Sequence, residues 1–404
     1  MRKILLLLIG CFFINTAAVA NAAIPKQWTF LIYINGNNSL DRYGPVNIRE
    51  MEQVGSTDQV NVVVQWASAS AHKAVRLLVE KSTNPSRVTS PILEDLGLVD
   101  MGDYHTLQDF IKWGVEKFPA QHYFIDVWNH GSGWHLTELR GIKNPPKQTA
   151  LSDISYDDIS GNHITTEQLG KVMANAANVI GHKVDLYGSD ACLMSMAEVA
   201  NQMSDSVHYY VGSQDLEPAM GWPYGDLLKR WAAIPDATAD DIAKILVDAY
   251  VKSYQGGSSG RAEVVFSAFD LDNLINFNQA IAKFGDNILQ LNPSDRQKVN
   301  IAAKSSQSFM GDYGDVVDFI TNIQLSHISG LDPENIAMLQ KAVSTLVIAN
   351  ATTEHLKHAH GLSIWLPTYR SDYTEYAARY HGLEFDHNTH WGDVLGFLLH
   401  GATV

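Results

Sequence analysis

The chain has 404 residues, 46% of them hydrophobic and 18% charged, which provides apolar material for one large domain or two ordinary ones and argues against a disordered protein. Its 44 acidic residues outnumber 29 Lys and Arg, for a formal net charge of −15. That balance argues against nucleic acid or an anionic membrane as a partner and suits cationic substrates.

The N-terminus reads as a secretion signal over residues 1–22. Arg2-Lys3 is the positive end, Ile4 to Phe13 the apolar run, and Ala20-Asn21-Ala22 a small-residue cleavage site. The run is short of the roughly 20 residues that span a bilayer. Leu8-Ile9-Gly10-Cys11 also resembles a lipobox, which makes a lipoprotein the alternative. Cleavage after Ala22 removes Cys11 and leaves Cys192 as the only cysteine. Exported proteins normally pair their cysteines, so an unpaired thiol there is expected to be used. The mature product is expected to be secreted or periplasmic, without a membrane span.

Trp28 to Ile34 reads as a buried strand ending in the Asn/Gly-rich loop Asn35 to Asp41. An amphipathic helix over Val46 to Val54 follows, then a strand over Gln59 to Trp66 and a third, at a sheet edge, over Ala74 to Glu80. Thr106 to Phe118 has helical spacing and Pro119 ends it. His122 to Trp128 is a further strand and runs into Asn129-His130-Gly131-Ser132-Gly133-Trp134. The stretch Leu136 to Thr166 is polar and turn-rich; a loop of that length is usually functional or mobile. Thr166 is placed to cap a helix over Glu167 to Ala177.

Lys183 to Ser189 reads as a strand leading to Asp190-Ala191-Cys192, with a helix from Leu193 to Met203. In that reading the thiol meets a helix N-terminus, which favours the thiolate. The competing reading is a buried cysteine acting as a small apolar residue. His208 to Ser213 is the next strand and opens a loop, Gln214 to Tyr224, whose acids and aromatics can wall a pocket. Gln255 to Gly260 marks a break. A strand over Ala262 to Phe269, helices from Leu271 to about Ala351, a strand over Gly361 to Pro367 that can return to the main sheet, and a helix over Trp391 to Leu399 complete the chain. Alternating strands and helices imply an α/β fold, a mostly parallel sheet with helices on both faces. The division is a signal peptide (1–22), a catalytic core (23–255) and a largely helical C-terminal region (256–404) that adds strands to the core sheet.

Parallel strands carry their following loops to one edge, which brings His130 and Cys192 to a common cleft. A thiol, an imidazole and backbone donors are what acyl transfer needs. Gly131, without a side chain, and Cys192 can supply the oxyanion-hole N–H groups. Asp190 and Asp215 are the acids best placed to meet a cationic side chain. Ser132 is not in a Gly-x-Ser-x-Gly elbow, so a serine hydrolase is disfavoured. His355, His358 and His360 match no zinc signature. Asp153, Asp157, Asp158 and Asn162 are hard-oxygen candidates for calcium, but their order is not that of an EF-hand.

These segments together resemble the clostripain-like cysteine peptidases of the caspase-like clan. The resemblance is carried by Trp28-Thr-Phe-Leu-Ile-Tyr33, Met101-Gly-Asp103, Trp128-Asn-His-Gly-Ser-Gly-Trp134, Asp190-Ala-Cys-Leu-Met194, Gly212-Ser-Gln-Asp-Leu-Glu-Pro218 with Gly221-Trp222, and Gly361-Leu-Ser-Ile-Trp-Leu-Pro367. It implies a caspase-like sheet, Cys192 as nucleophile, His130 as acid/base, and Gly131 and Cys192 amides at the oxyanion. It also implies cleavage after Arg or Lys with Asp190 at the pocket floor; Asp215 is the choice for a second acid and Glu217 the alternative. Such enzymes are often zymogens cut between the dyad residues, where Arg140, Lys143 and Lys147 lie. Asn129 departs from the Asp that often precedes the histidine and is expected to tune the site. The expectation is an exported, monomeric cysteine endopeptidase acting on basic peptides. Its chemistry requires no cofactor or metal, although some members use Ca2+. The alternatives are a binding protein on the same fold and a peptide ligase or transpeptidase using the same dyad.

Overall fold

The computed structural model describes residues 25–135 and 153–400. The first five strands are β1 (Lys26–Gly36), β2 (Val60–Ser68), β3 (Lys73–Leu78), β4 (Ile92–Gly97) and β5 (Ala120–Trp128). A hairpin of β6 (Ile154–Asp157) and β7 (Asn162–Ile164) precedes β8 (Val184–Asp190), β9 (Val207–Gly212) and β10 (Val265–Asp270). Then come β11 (Ser308–Phe309), β12 (Tyr313–Asp315), β13 (Val347–Thr352) and β14 (Ser363–Trp365). Nine strands form the main sheet in the order β13-β10-β9-β8-β5-β1-β2-β3-β4. The central pairs from β2 to β9 are parallel, and antiparallel pairs flank them at both ends.

Strand alternation divides the core. Leu31, Tyr33, Ile125 and Val127 point to one face, where the helices Tyr104–Lys117 and Thr166–Ile180 pack. Phe30, Ile32, Phe124 and Trp128 point to the other, against Gly44–Glu52, Tyr224–Trp231 and Ala239–Tyr254. From β1 the chain moves outward to β2, then returns to place β5 on the other side of β1. The carboxyl end of β1 against β5 is therefore a topological switch point, where open α/β sheets leave a crevice.

Several local expectations are corrected. The strand near Ala74 is not the edge, because the more exposed β4 pairs outside it. Thr165, not Thr166, caps its helix, in a capping box with Gln168. The region expected to be helical up to Ala351 contains β11, β12 and β13, and β13 joins the main sheet antiparallel to β10. Strand β14 lies not in the main sheet but with β11 and β12 in a three-stranded one. The stretch Gln255–Gly260 is a tight turn, closed by Gly256 N donating to Gly260 O at 2.7 Å.

That small sheet and the helix Arg370–Tyr380 brace the loop that follows β5. Tyr313 Oη donates within hydrogen-bonding reach of Ser132 O at 2.7 Å and His135 O at 2.6 Å. Fully buried Trp134 packs edge-on against Trp365 and close to Tyr380. Arg379 pairs with Asp153 at 2.9 Å and Glu167 at 2.7 Å. The Asp153 side chain is 0% exposed, so removing its cation leaves a bare buried acid. Arg379→Met is expected to cost about 3–5 kcal/mol at neutral pH. Burial already pushes the Asp153 carboxyl up to about 6 despite Arg379. Protonation removes the uncompensated charge, so the deficit should shrink as pH falls; melts at pH 7.5 and 5 check both the loss and its direction.

Candidate active site

Four carboxyl-edge segments converge. Strand β5 delivers Asn129-His130, β8 delivers Asp190 to Cys192, β9 leads to Ser213 to Glu217, and β1 leads to Asn35 to Ser39. The parallel register sets Trp128 beside Asp190, and Asn129 N donates to Asp190 O at 3.1 Å. One cleft is lined by His130, Asp190, Cys192 and Glu217, with Leu40, Trp128 and Gly221. Cys192 is the one free cysteine among the described residues.

The thiol is not at a helix N-terminus. Residues 191–195 form a turn, and the helix Ala197–Met203 begins five residues beyond Cys192. Leu193 adopts φ +64°, in the left-handed region, and its N–H bonds Asp215 O at 3.1 Å. This bend points the cysteine into the cleft at the cost of an unfavourable backbone conformation. Cys192 Sγ accepts from Glu217 N at 3.2 Å and faces Glu217 O at 3.8 Å. The thiol is partly exposed, yet burial, opposed by the Glu217 N–H and reinforced by Asp215 and Asp190, pushes it up to about 11. Burial also holds the His130 imidazole below its usual range, with Asp158 opposing. At neutral pH the resting pair is thus a neutral thiol and a neutral imidazole.

His130 Nε2 lies 2.9 Å from Ser39 Oγ, a partner that sequence reading missed. Asn129 does not touch the imidazole's outer edge; it ties segments together, donating to Asn35 O at 2.7 Å and accepting from Tyr156 N at 2.6 Å. Gly131 packs against the Cys192 turn so closely that a Cβ would sit 2.5 Å from Cys192 O and 3.0 Å from Ala191 Cβ. Its N–H and that of Cys192 therefore belong to one turn-to-loop contact.

The acids are arranged differently from expectation. Asp190 Oδ2 accepts from Tyr224 Oη at 2.8 Å and from Trp222 N at 3.2 Å. Glu217 lines the cleft; its buried carboxyl oxygens meet no N–H or O–H donor, and its side chain faces the Asp190 carboxyl. Asp215 is not among the lining residues; its Oδ1 accepts from Leu216 N at 2.8 Å within its own loop. The second acid facing the pocket is Glu217. Asp126 was missed altogether, though it is the one charged residue in the apolar run His122 to Trp128; it is 0% exposed and meets Tyr224 Oη at 2.7 Å. Gly221 adopts φ +63°, and a Cβ there would sit 2.7 Å from Asp190 Oδ2, so the pocket needs glycine on both counts.

The metal candidates are otherwise occupied. Asp157 accepts from Asn37, Met101 N, Ile159 N and Ser160 N, and Asp153 from Thr166 and Arg379. The carboxylates of Asp153 and Asp157 are thus taken up by protein donors. His355, His358 and His360 face three different carboxylates, Glu263, Asp318 and Asp315. Among the described residues no group of three or more His, Cys, Asp or Glu is placed to hold a metal. Residues 1–22 and the processing candidates Arg140, Lys143 and Lys147 lie outside the described residues.

Comparison with known proteins gives consistent results. The model of the clostripain family, peptidase family C11, matches residues 32–397. No curated protein matches. A secreted C11 cysteine protease from Bacteroides thetaiotaomicron, solved with an irreversible peptide inhibitor, is similar with a TM-score of 0.69 at 19% identity, over 91% of this chain and 99% of that one. An inactive zymogen C11 protease from Parabacteroides distasonis is similar with a TM-score of 0.66 at 18% identity, over 90% and 98%. These likenesses establish the shared fold.

A thiol held neutral in the resting protein has a characteristic pH signature. Iodoacetamide labelling of Cys192, followed by peptide mass mapping, should accelerate about tenfold per pH unit from 7 to 10. A rate already flat from pH 5 to 8 would reveal a preformed thiolate–imidazolium pair instead.

Proposed function

The chain belongs to the clostripain family and is a cysteine-type peptidase, and we propose that it is an exported endopeptidase that hydrolyses peptide bonds after Arg or Lys through a Cys192–His130 dyad. The observation that carries this reading is a single cleft in which the thiol and the imidazole stand beside buried acids. His130, neutral at rest, takes the thiol proton as Sγ attacks the scissile carbonyl. The N–H groups of Gly131 and Cys192 stabilise the oxyanion. His130 then gives the proton to the leaving amine, and water hydrolyses the thioester with the imidazole as base. Ser39 steadies the imidazole through its Nε2 contact.

Specificity is assigned to Asp190, with Glu217 as the second acid, because a guanidinium or ammonium group supplies the counter-charge that these carboxyls lack. Export is supported by the N-terminal sequence, and no helix among the described residues is long and apolar enough to cross a membrane. Self-cleavage after Arg140, Lys143 or Lys147 is supported by the anchoring of both flanks. Tyr313 and the Trp134 cage hold the upstream side; Arg379 and the Asn35–Asn38 cluster hold Asp153 to Asp157 downstream. A cut between those flanks would leave β5 and β6 in place.

Cys192→Ala should abolish both peptide hydrolysis and self-cleavage, read by intact mass with and without calcium. Hydrolysis by that variant would sink the mechanism. Asp190→Asn should lower kcat/KM for P1-Arg and P1-Lys peptides by roughly 100-fold or more, through loss of a charge-assisted bond. An unchanged preference across P1-Arg, P1-Lys and P1-Asp peptides would remove Asp190 from the pocket floor.

A further inference from the structure

The acids of this pocket number three, and the groups acting on them are one another, Tyr224, Cys192 and backbone N–H donors. Asp126 and Asp190 project from neighbouring strands toward the same face, and the single Tyr224 hydroxyl lies 2.7 Å from one and 2.8 Å from the other. One hydroxyl proton cannot satisfy two carboxylates. If Asp126 carries a proton, it donates to Tyr224 Oη, and Tyr224 donates to Asp190; the chain is then satisfied throughout. Asp126 Oδ1 and both oxygens of Glu217 are buried without an N–H or O–H donor, and Glu217 faces the Asp190 carboxyl, a contact that a shared proton satisfies and two carboxylates do not. Among the described residues, the elements packed around the cluster add no cation to its interior. Glu50 approaches from the helix Gly44–Glu52, Tyr250 and Tyr254 from Ala239–Tyr254, Asp215 from the loop after β9, and His130 from the opposite wall of the cleft.

We propose that Asp126, Asp190 and Glu217 form one proton-holding cluster, in which Tyr224 bridges Asp126 to Asp190 and the Glu217 carboxyl faces that of Asp190, and that a guanidinium or ammonium side chain enters the pocket by displacing about one proton to solvent. The exchange balances charge: a cation enters, a proton leaves, and the buried site never holds an uncompensated anion. Burial and mutual repulsion, which raise all three carboxyls, act in the same direction. Asp126 does not reach the cleft lining and is a positioning residue, setting the charge of Asp190 through Tyr224. The inference rests on the reading of this pocket as the seat of a basic side chain.

The test is calorimetric titration of Cys192→Ala with agmatine, which carries the arginine side-chain guanidinium, in phosphate and in Tris at pH 7. The binding heats should differ by the buffers' ionisation enthalpies, reporting release of about one proton, and affinity should rise up to tenfold per pH unit between pH 5 and 7. Glu217→Gln should lower the proton count by at least half. Tyr224→Phe should move the rise in affinity to higher pH by about a unit, a shift that simple loosening of the pocket would not produce. Agmatine binding with buffer-independent heat and pH-independent affinity would overturn the cluster while leaving the specificity reading intact. Absence of agmatine binding, together with wild-type indifference to P1-Arg and P1-Lys peptides, would overturn the specificity reading and this inference with it.

Discussion

The parallel register of β5 against β8 is the constraint on which the site depends. It sets Trp128 beside Asp190, so the residues just beyond each strand, His130 and Cys192, emerge at the same height on the same edge. The same alternation sends Asp126 and Asp190 to the face occupied by Tyr224 and Trp222. A one-residue slip of either strand would put Asp126 and Asp190 on opposite faces and break the cleft. Burial of both faces by separate helical layers is what prevents that slip.

The rest of the chain holds the emerging loops rather than contributing chemistry. Asn35, Asn37, Asn38 and Asn129 fasten the β6 segment to the ends of β1 and β5 through their amides. From the C-terminal part, Tyr313 holds the Ser132 and His135 carbonyls, and Gln214 is held by Asp315 and Ser363 at 3.0 and 2.9 Å. Ser363 N also donates to Ser195 O at 3.0 Å, so the loops bearing His130 and Cys192 both lean on residues beyond position 300, and the last third of the chain is part of the site's scaffold.

What could be read from the sequence follows from how locally each feature is determined. Strands β1, β2, β5 and β8 are short apolar runs between turn residues, and the sequence marks their carboxyl ends, so the meeting of His130 and Cys192 at one cleft was legible. Strand β4 was not, because its exposed Ile92, Leu93 and Asp95 mix apolar and charged residues at an edge. Strand β13 was hidden because Val347-Ile-Ala-Asn-Ala-Thr352 continues the helix Pro333–Leu346 without a break. The helix expected at Leu193 was displaced by that residue's left-handed backbone, which no residue type announces. Choosing Asp215 over Glu217 was a question of side-chain direction in an irregular loop, where no periodicity applies. Asp126 had a signal, a lone acid in a buried strand, but its partner Tyr224 lies 98 residues away and only folding brings the two together.

The acids also bear on the nucleophile. Asp190 and Asp215 add negative potential at Cys192, on top of burial, and so oppose the thiolate. Under the proposed reading a cation replaces a proton in the carboxyl cluster and leaves its net charge unchanged, so seating a basic side chain neither adds to nor relieves the negative potential at Sγ. An empty pocket keeps the thiol protonated and the imidazole neutral, which guards a lone cysteine against oxidation and disulfide exchange, both of which proceed through the thiolate. Under the proposed mechanism that proton passes to His130 only when a scissile carbonyl is in reach, so the carboxyl cluster, placed by strand register, would choose the substrate without arming the thiol in advance.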